Sequence, residues 1–313
     1  MVGMGIRNGY VSSGKKQHEL PLLYAFSKEN EPVETANPGE ILMFKSMDCF
    51  SNKLEREDQL MSEILYGYDV ANPAAGPVYI NGAEPGDVLV VDILDVKVAD
   101  QGTIATDDVC GPLHDLSEPR TKKIKIEDGM ATFNEVKFPI DPMIGVIGTA
   151  PSGEAVACGY PGDHGGNMDS KIIKKGARVY FPVRVEGALL QMGDVHATMG
   201  DAELCGTGIE IPAEITVKVS LIKDFELNWP VTETATHWWV NTTGPKMDDA
   251  LYSASVEMQR LMMNMTGWDQ TDVYMYLSVQ SDMCINQACV PCAVPPVLRF
   301  GTPKLTQFKP LIG

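Results

Sequence analysis

The amino-acid sequence predicts a mostly β, α+β fold: packed antiparallel β-sheets, with two or three helices lying mainly in the C-terminal third. Three observations predict it. Runs rich in Val and Ile, each bounded by Gly or Pro, recur through the first 222 residues. Two of these runs alternate apolar and polar positions with the period of a half-buried strand. A sustained helical period appears late, after Pro245.

In chain order, "EILMF" at 40–44 is the first strand, launched by the turn "PGE" at 38–40. "LEREDQLMSEILYGY" at 54–68 is a candidate helix. A second turn, "PGD" at 85–87, launches the alternating run "VLVVDILDVKV" at 88–98. Residues 99–142 look irregular, and their length suggests a functional loop or an insertion. Strands follow at "MIGVIG" (143–148), "ARVYFPVRV" (177–185) and "AEITVKVSLI" (213–222). Between Pro245 and Thr266, Met247, Ala250, Leu251, Ala254, Met258, Leu261 and Met262 step by three and four along one helical face. Five Met residues in that stretch read as an adaptable core face rather than a partner groove. Asp269 or Thr271 caps a shorter helix through "DVYMYLSVQ".

The 313 residues suffice for one large β-rich domain or two ordinary ones. The expected organisation is a flexible leader at 1–18 and one catalytic domain at 19–313, or two β subdomains within it. A net charge of −17 repels phosphate backbones, so nucleic acid is excluded as a partner. No run of about 18 apolar residues is present, so no membrane-spanning helix is expected. The N-terminus lacks the apolar region of a secretory signal. Seven cysteines, an odd count, suit reduced thiols in a cytoplasm.

The chemistry concentrates in "GDVHATMGDAELCGTGIE" at 193–210, where Asp194, His196, Asp201, Glu203 and Glu210 crowd together with Cys205. A second glycine-rich loop, "GYPGDHGGNMDSKIIKKG" at 159–176, carries Asp163, His164, Asn167 and Asp169. A hairpin through the apolar stretch between them would bring the two loops close. In a strand, Asp194 and His196 share a face and can bind one metal, and their donor atoms suit Zn²⁺ and related divalent ions. Asp169, or Asp48 in "FKSMDCFSNKL", would complete the ligand set. A metal held this way acidifies a bound water and polarises a carbonyl. Glu203 or Glu210 would take the proton. The plainer reading is that these acids cap turns or face water. Cys205 offers a rival nucleophile, with a buried structural thiol as its plainer reading. "CINQACVPC" spaces Cys284, Cys289 and Cys292 as C-x₄-C-x₂-C, but lacks a fourth ligand, so buried strand thiols are the simpler account. No P-loop, dinucleotide fingerprint or G-x-S-x-G elbow is present.

These motifs resemble the acetamidase/formamidase family. The resemblance rests on "PGEILMFKSMDC" (38–49), "GPVYINGAEPGDVLVVDI" (76–93), "GGNMD" (165–169), "FPVRVEGALLQMGDVHATMGDAELCGTGIE" (181–210) and the late helix followed by "YLSVQSD" (276–282). It implies a β-rich enzyme that hydrolyses short aliphatic amides to a carboxylate and ammonia, with a divalent metal, often zinc, at its site. Carried onto this chain, it covers Asp48, Asn167, Asp169, Asp194, His196, Glu203 and Glu210. On chemical grounds Asp48, Asp169, Asp194 and His196 are the metal ligands, and Glu203, Glu210 and Asn167 are the catalytic groups. Asn167 would hydrogen-bond the substrate carbonyl or amide nitrogen. The expected partner is a small neutral amide, with a homodimer or higher homo-oligomer as the assembly. Two departures stand out: Ala202 where the resemblance implies glycine, and Lys53 where it implies glutamine. The alternatives are a metal-independent amidase using Cys205, and a non-catalytic small-amide binding protein.

Overall fold

Alternation along one long strand sets the layering. In Val88–Val98, Leu89, Val91 and Ile93 join one hydrophobic core, while Val88 and Val90 join a second on the opposite face. The computed structural model describes residues 23–65 and 67–313; the segment 1–18, expected as a leader, lies outside them.

That strand belongs to an eight-stranded sheet. Its spatial order is Asp282–Gln287, Val297–Pro303, His237–Thr243, Val231–Glu233, Arg178–Pro182, Val88–Val98, Ala213–Ile222 and Ile41–Ser46. Every pairing in it is antiparallel. A six-stranded sheet covers one face, in the order Pro161–Gly162, Gly165–Asn167, Met143–Gly148, Leu190–His196, Ala74–Ile80 and Glu34–Ala36. Its Ile144, Ile147, Leu190 and Met192 pack into the core shared with Leu89, Val91 and Ile93. Among the described residues, Glu34–Ala36 with Ala74–Ile80 is the only parallel pair of strands.

Helices cover the other face. Helix α1, Met247–Thr266, ends at Gly267, whose φ of 75° supplies the left-handed cap. Helix α2, Gln270–Gln280, starts at Asp269, whose side chain accepts hydrogen bonds from the Thr271 and Asp272 amides. Ala250, Ala254, Met258, Leu261 and Met262 are fully buried against Val88, Val90, Val240 and Leu298. The methionine face is therefore core, as its spacing implied.

Three expectations need correction. The described residues of 54–68 do not form an α-helix; a short 3₁₀ turn lies at Met61–Glu63, and another begins at its end, Tyr68–Val70. The Gln59 side chain accepts the backbone amides of Glu55 and Arg56 and folds the first turn away from a helix. Residues 99–142 are largely a four-stranded antiparallel meander of Gln101–Thr106, Arg120–Glu127, Met130–Phe133 and Val136–Pro139. Asp128 and Gly129, both at positive φ between the paired Glu127 and Met130, make its two-residue turn. Finally, 177–196 is not one hairpin. Arg178–Pro182 lies in the larger sheet and Leu190–His196 in the smaller, so the chain crosses between layers.

Among the described residues, no helix is long and apolar enough to cross a membrane. Met258→Ala, in the fully buried face of α1, should cost about 2–5 kcal/mol in urea unfolding. Met275→Ala, on the exposed side of α2, should change stability by less than about 0.5 kcal/mol.

Candidate active site

The site is built around Gly145. Its strand, Met143–Gly148, pairs on one side with Gly165–Asn167 and on the other with Leu190–His196. Asp169 follows the first neighbour and Asp194 sits in the second, so their carboxylates converge over the glycine. A Cβ at position 145 would lie 2.5 Å from Asp169 Oδ1 and 2.7 Å from Asp194 Oδ2. The absence of a side chain there makes the cradle.

The 193–210 segment then folds back on itself. Glu210 bridges both His196 and Thr103 through the backbone, which returns its side chain to the imidazole. Ala202 bridges Gln287, which holds the Glu203 turn against the larger sheet. From His196 Nε2 the nearest carboxylate oxygens are Glu210 Oε1 at 3.2 Å, Asp194 Oδ1 at 3.6 Å, Asp169 Oδ1 at 3.9 Å and Glu203 Oε1 at 4.0 Å. Glu210 Oε1 also accepts the Gly208 amide at 2.8 Å. Gln287 Nε2 donates to Asp169 Oδ2 at 2.8 Å and to Glu203 Oε2 at 3.0 Å, tying the two acids together. Asp169, Asp194 and Glu203 adopt positive φ of 41°, 51° and 46°. Non-glycine residues in that region store about 1–3 kcal/mol each, and such strain clusters where side chains are aimed for a task.

Four carboxylates and one imidazole, none more than 5% exposed, share this space. Two like charges about 4 Å apart repel by about 4 kcal/mol at an effective dielectric of about 20, so one imidazolium cannot balance four ionised acids. Burial raises Glu203 to about 7, although the charge of His196 opposes the shift. Burial likewise raises Glu210 to about 8, with His196 again opposing and Asp194 adding to it. Asp169 is pushed well above the usual carboxylate range by burial and by Glu203 and Asp194. Burial would lower His196, but Glu210 and Asp194 outweigh it and hold the ring well above its ordinary value.

A divalent cation would resolve the same imbalance. Asp169, His196 and Glu203 form one group whose ligand atoms lie within 4.8 Å of one another, and Cys49, Asp194 and Glu210 form another. Asp169 Oδ1, Asp194 Oδ1, Glu210 Oε2 and Asn167 Oδ1 are buried without a hydrogen-bond partner. Buried polar atoms are ordinarily paired, so these oxygens fit a cation and a polar ligand. The group opens on a cavity of about 530 Å³. Its polar lining includes Asn167, Asp169, Asp194, Glu203, Glu210 and Gln287, and its apolar lining includes Phe50, Met61, Leu65 and Ala71.

Of the sequence-expected residues, Asn167, Asp169, Asp194, His196, Glu203 and Glu210 come together, and Asp48 does not join either ligand group. Asp48 Oδ1 accepts the amides of Phe50 at 3.1 Å and Asn52 at 2.6 Å, so it shapes the turn that presents Cys49 beside Asp194 and Glu210. Asp201 also stands apart, in a two-pronged ion pair with Arg299 at 2.9 Å that anchors the loop. Cys205 is absent from the cavity wall; its thiol contacts Thr207, and burial pushes it up, which disfavours the thiolate a nucleophile needs. His164 packs edge-on against Phe26 and Asp163 pairs with Arg184. Lys53 is exposed and outside the cavity wall. Ala202, where glycine was expected, has a φ of 81°, the backbone for which glycine is suited. Gln287 and Cys49 were missed. Gln287 lies in "CINQACVPC", where the cysteines drew attention, and Cys49 is next to Asp48, so both had a signal nearby.

Two consequences can be measured. In metal-free protein, Glu203 and Glu210 hold protons that unfolded glutamates release near 4.5. Their stabilisation is full below that value and is lost as pH rises through about 7 and about 8; the raised His196 acts in the same direction. Chelated protein should therefore melt lower at about pH 8.5 than at about pH 5.5, and zinc should restore more at the higher pH, because ligands must be deprotonated to bind. Gly145→Ala should lower stability by about 1–3 kcal/mol and weaken metal retention, measured by urea unfolding and metal analysis. Gly153→Ala, with no atom within 4 Å of the added carbon, should leave both unchanged.

Known proteins share this arrangement of chain and fold. The family model described as the acetamidase/formamidase family matches residues 13–158 and 154–295. A formamidase from Methylophilus methylotrophus is 30% identical over 252 residues, which cover 61% of this chain and 62% of that protein. The match thus spans about three fifths of that relative's length. The crystal structure of an acetamidase from Bacillus halodurans is 37% identical, superposes with a TM-score of 0.86, and is matched over 90% of this chain and 95% of that one. That of an acetamidase from Yersinia enterocolitica is 29% identical with a TM-score of 0.83, over 90% and 88%. A buried acid–imidazole cluster lies where two strands flank Gly145, on a fold those acetamidases share, and the chain belongs to the acetamidase/formamidase family.

Proposed function

We propose that this chain hydrolyses a short aliphatic amide, of the formamide or acetamide type, to a carboxylate and ammonia with the help of a divalent cation. The observation that carries this reading is the group of four buried carboxylates around one imidazole, opening on a cavity. Asp169, His196 and Glu203 would hold the cation, with Asp194 alongside. Once bound, such an ion, zinc being suited to these donors, supplies Lewis-acid polarisation of the amide carbonyl and acidification of water.

The chain's own groups do the rest. Asn167 Nδ2 is committed to the Gly159 carbonyl at 3.2 Å, which leaves Oδ1 free to accept a hydrogen bond from the substrate amide nitrogen. Glu210 keeps Oε1 on the Gly208 amide and leaves Oε2 unpartnered. It is the carboxylate outside the cation-holding triad that takes the proton from the attacking water and returns it to the departing nitrogen. Glu203, the other candidate for that task, is tied by Gln287 beside Asp169. Phe50, Met61 and Leu65 line the apolar side and suit a small acyl group.

The test is ammonia release from formamide, acetamide and propionamide by native and chelated protein. Release should depend on the metal. Glu210→Gln should lower kcat by about 10²–10⁴ with metal content unchanged, whereas His196→Ala should lose the metal as well. Full turnover by metal-free protein would overturn the proposal. An amide-dependent rise in Tm without ammonia would favour a binding protein.

A further inference from the structure

We propose that Cys110, Cys289 and Cys292 form a second metal site, for a thiophilic cation such as Zn²⁺ or Cd²⁺, in the wall of the same cavity. It stands apart from the amidase reading and uses none of the residues assigned there. The three Sγ atoms lie within 4.8 Å of one another, and Cys289 Sγ is 3.3 Å from Cys292 Sγ. In a tetrahedral thiolate site, Zn–S bonds of about 2.3 Å place sulfurs about 3.8 Å apart, inside the span seen here.

The cluster is assembled by the fold. Cys110 comes from the segment after Gln101–Thr106, 179 residues from Cys289. The backbone locks the two segments together: the Gly111 amide donates to the Cys289 carbonyl at 2.7 Å and meets the Pro291 carbonyl at 3.2 Å. Tyr68 Oη donates to Cys110 Sγ at 3.6 Å. A Cβ at Gly206 would lie 2.5 Å from Cys110 Sγ, so a glycine makes room for the sulfur. Cys110 and Cys289 are buried, Cys292 is half-buried, and all three line the cavity. Cys284, the first cysteine of the C-x₄-C-x₂-C run, is not part of the group.

A disulfide would use two of these thiols and strand the third; a thiophilic cation uses all three. Binding balances as M²⁺ plus three thiols giving a tris-thiolate complex of charge −1 and three released protons. A fourth coordination position remains for water or another small ligand on the cavity side. Carboxylate oxygen and imidazole suit harder or borderline ions, so the two clusters differ in selectivity.

The experiment is titration of the reduced, whole protein with Cd²⁺ in the absence of oxygen, read by thiolate-to-cadmium charge-transfer absorption. One equivalent should produce the band. Cys110→Ser and Cys292→Ser should each remove or sharply weaken it, while Cys49→Ser and Cys284→Ser should retain it. Absence of the band in native protein, or its survival in Cys110→Ser, overturns the proposal. Should the serine variants fail to fold, alkylation of native protein decides: Cd²⁺ must protect Cys110, Cys289 and Cys292 and leave Cys205 open to reagent. Equal labelling with and without Cd²⁺ overturns the site.

Discussion

Negative charge held out of water is the constraint on which the site depends. Asp169, Asp194, Glu203 and Glu210 surround the imidazole of His196, and none is more than 5% exposed. Left alone, such a group keeps protons that ordinary carboxylates lose, which is why Glu203 and Glu210 are raised to about 7 and about 8. Chemistry enters through the same imbalance. A cation would neutralise the cluster, and a carboxylate near neutrality can carry a proton in either direction.

The fold serves this constraint by fixing where each acid points. Gly145 leaves the gap into which two carboxylates converge, and the strands on either side of it set their spacing. The larger sheet acts from outside. Arg299, in Val297–Pro303, grips Asp201, while Gln287, in Asp282–Gln287, is bridged to Ala202 and binds Glu203 and Asp169. The 201–203 turn is thus clamped at consecutive residues, which is how Ala202 and Glu203 are kept at positive φ. Helices α1 and α2 back that sheet with a methionine-rich core.

One cavity gathers two kinds of donor. Carboxylate and amide oxygens line it, and so do the three thiols of Cys110, Cys289 and Cys292. Both clusters join distant segments, because loops from both sheets and from the meander meet at this end of the molecule.

By itself, the sequence determined the layers and most of the acid cluster. Ala213–Ile222 and α1 show their periods directly, because burial of one face leaves a local pattern, whereas the start of Val88–Val98 reads as a continuous apolar run because it is buried on both faces. Asp194, His196, Glu203 and Glu210 were legible because they crowd a short glycine-rich segment, and a second such loop at 159–176 offered Asn167 and Asp169, which the family resemblance also covered. Only the tertiary structure decided that Asp48 supports a turn while Cys49 reaches the acids. It alone placed Gln287 between Asp169 and Glu203, and Cys110 beside Cys289 and Cys292. The physical reason is range. Periodicity and turn chemistry act over a few residues, whereas a ligand set is fixed by which strands pair and cross between sheets, and that pairing joins residues more than a hundred positions apart.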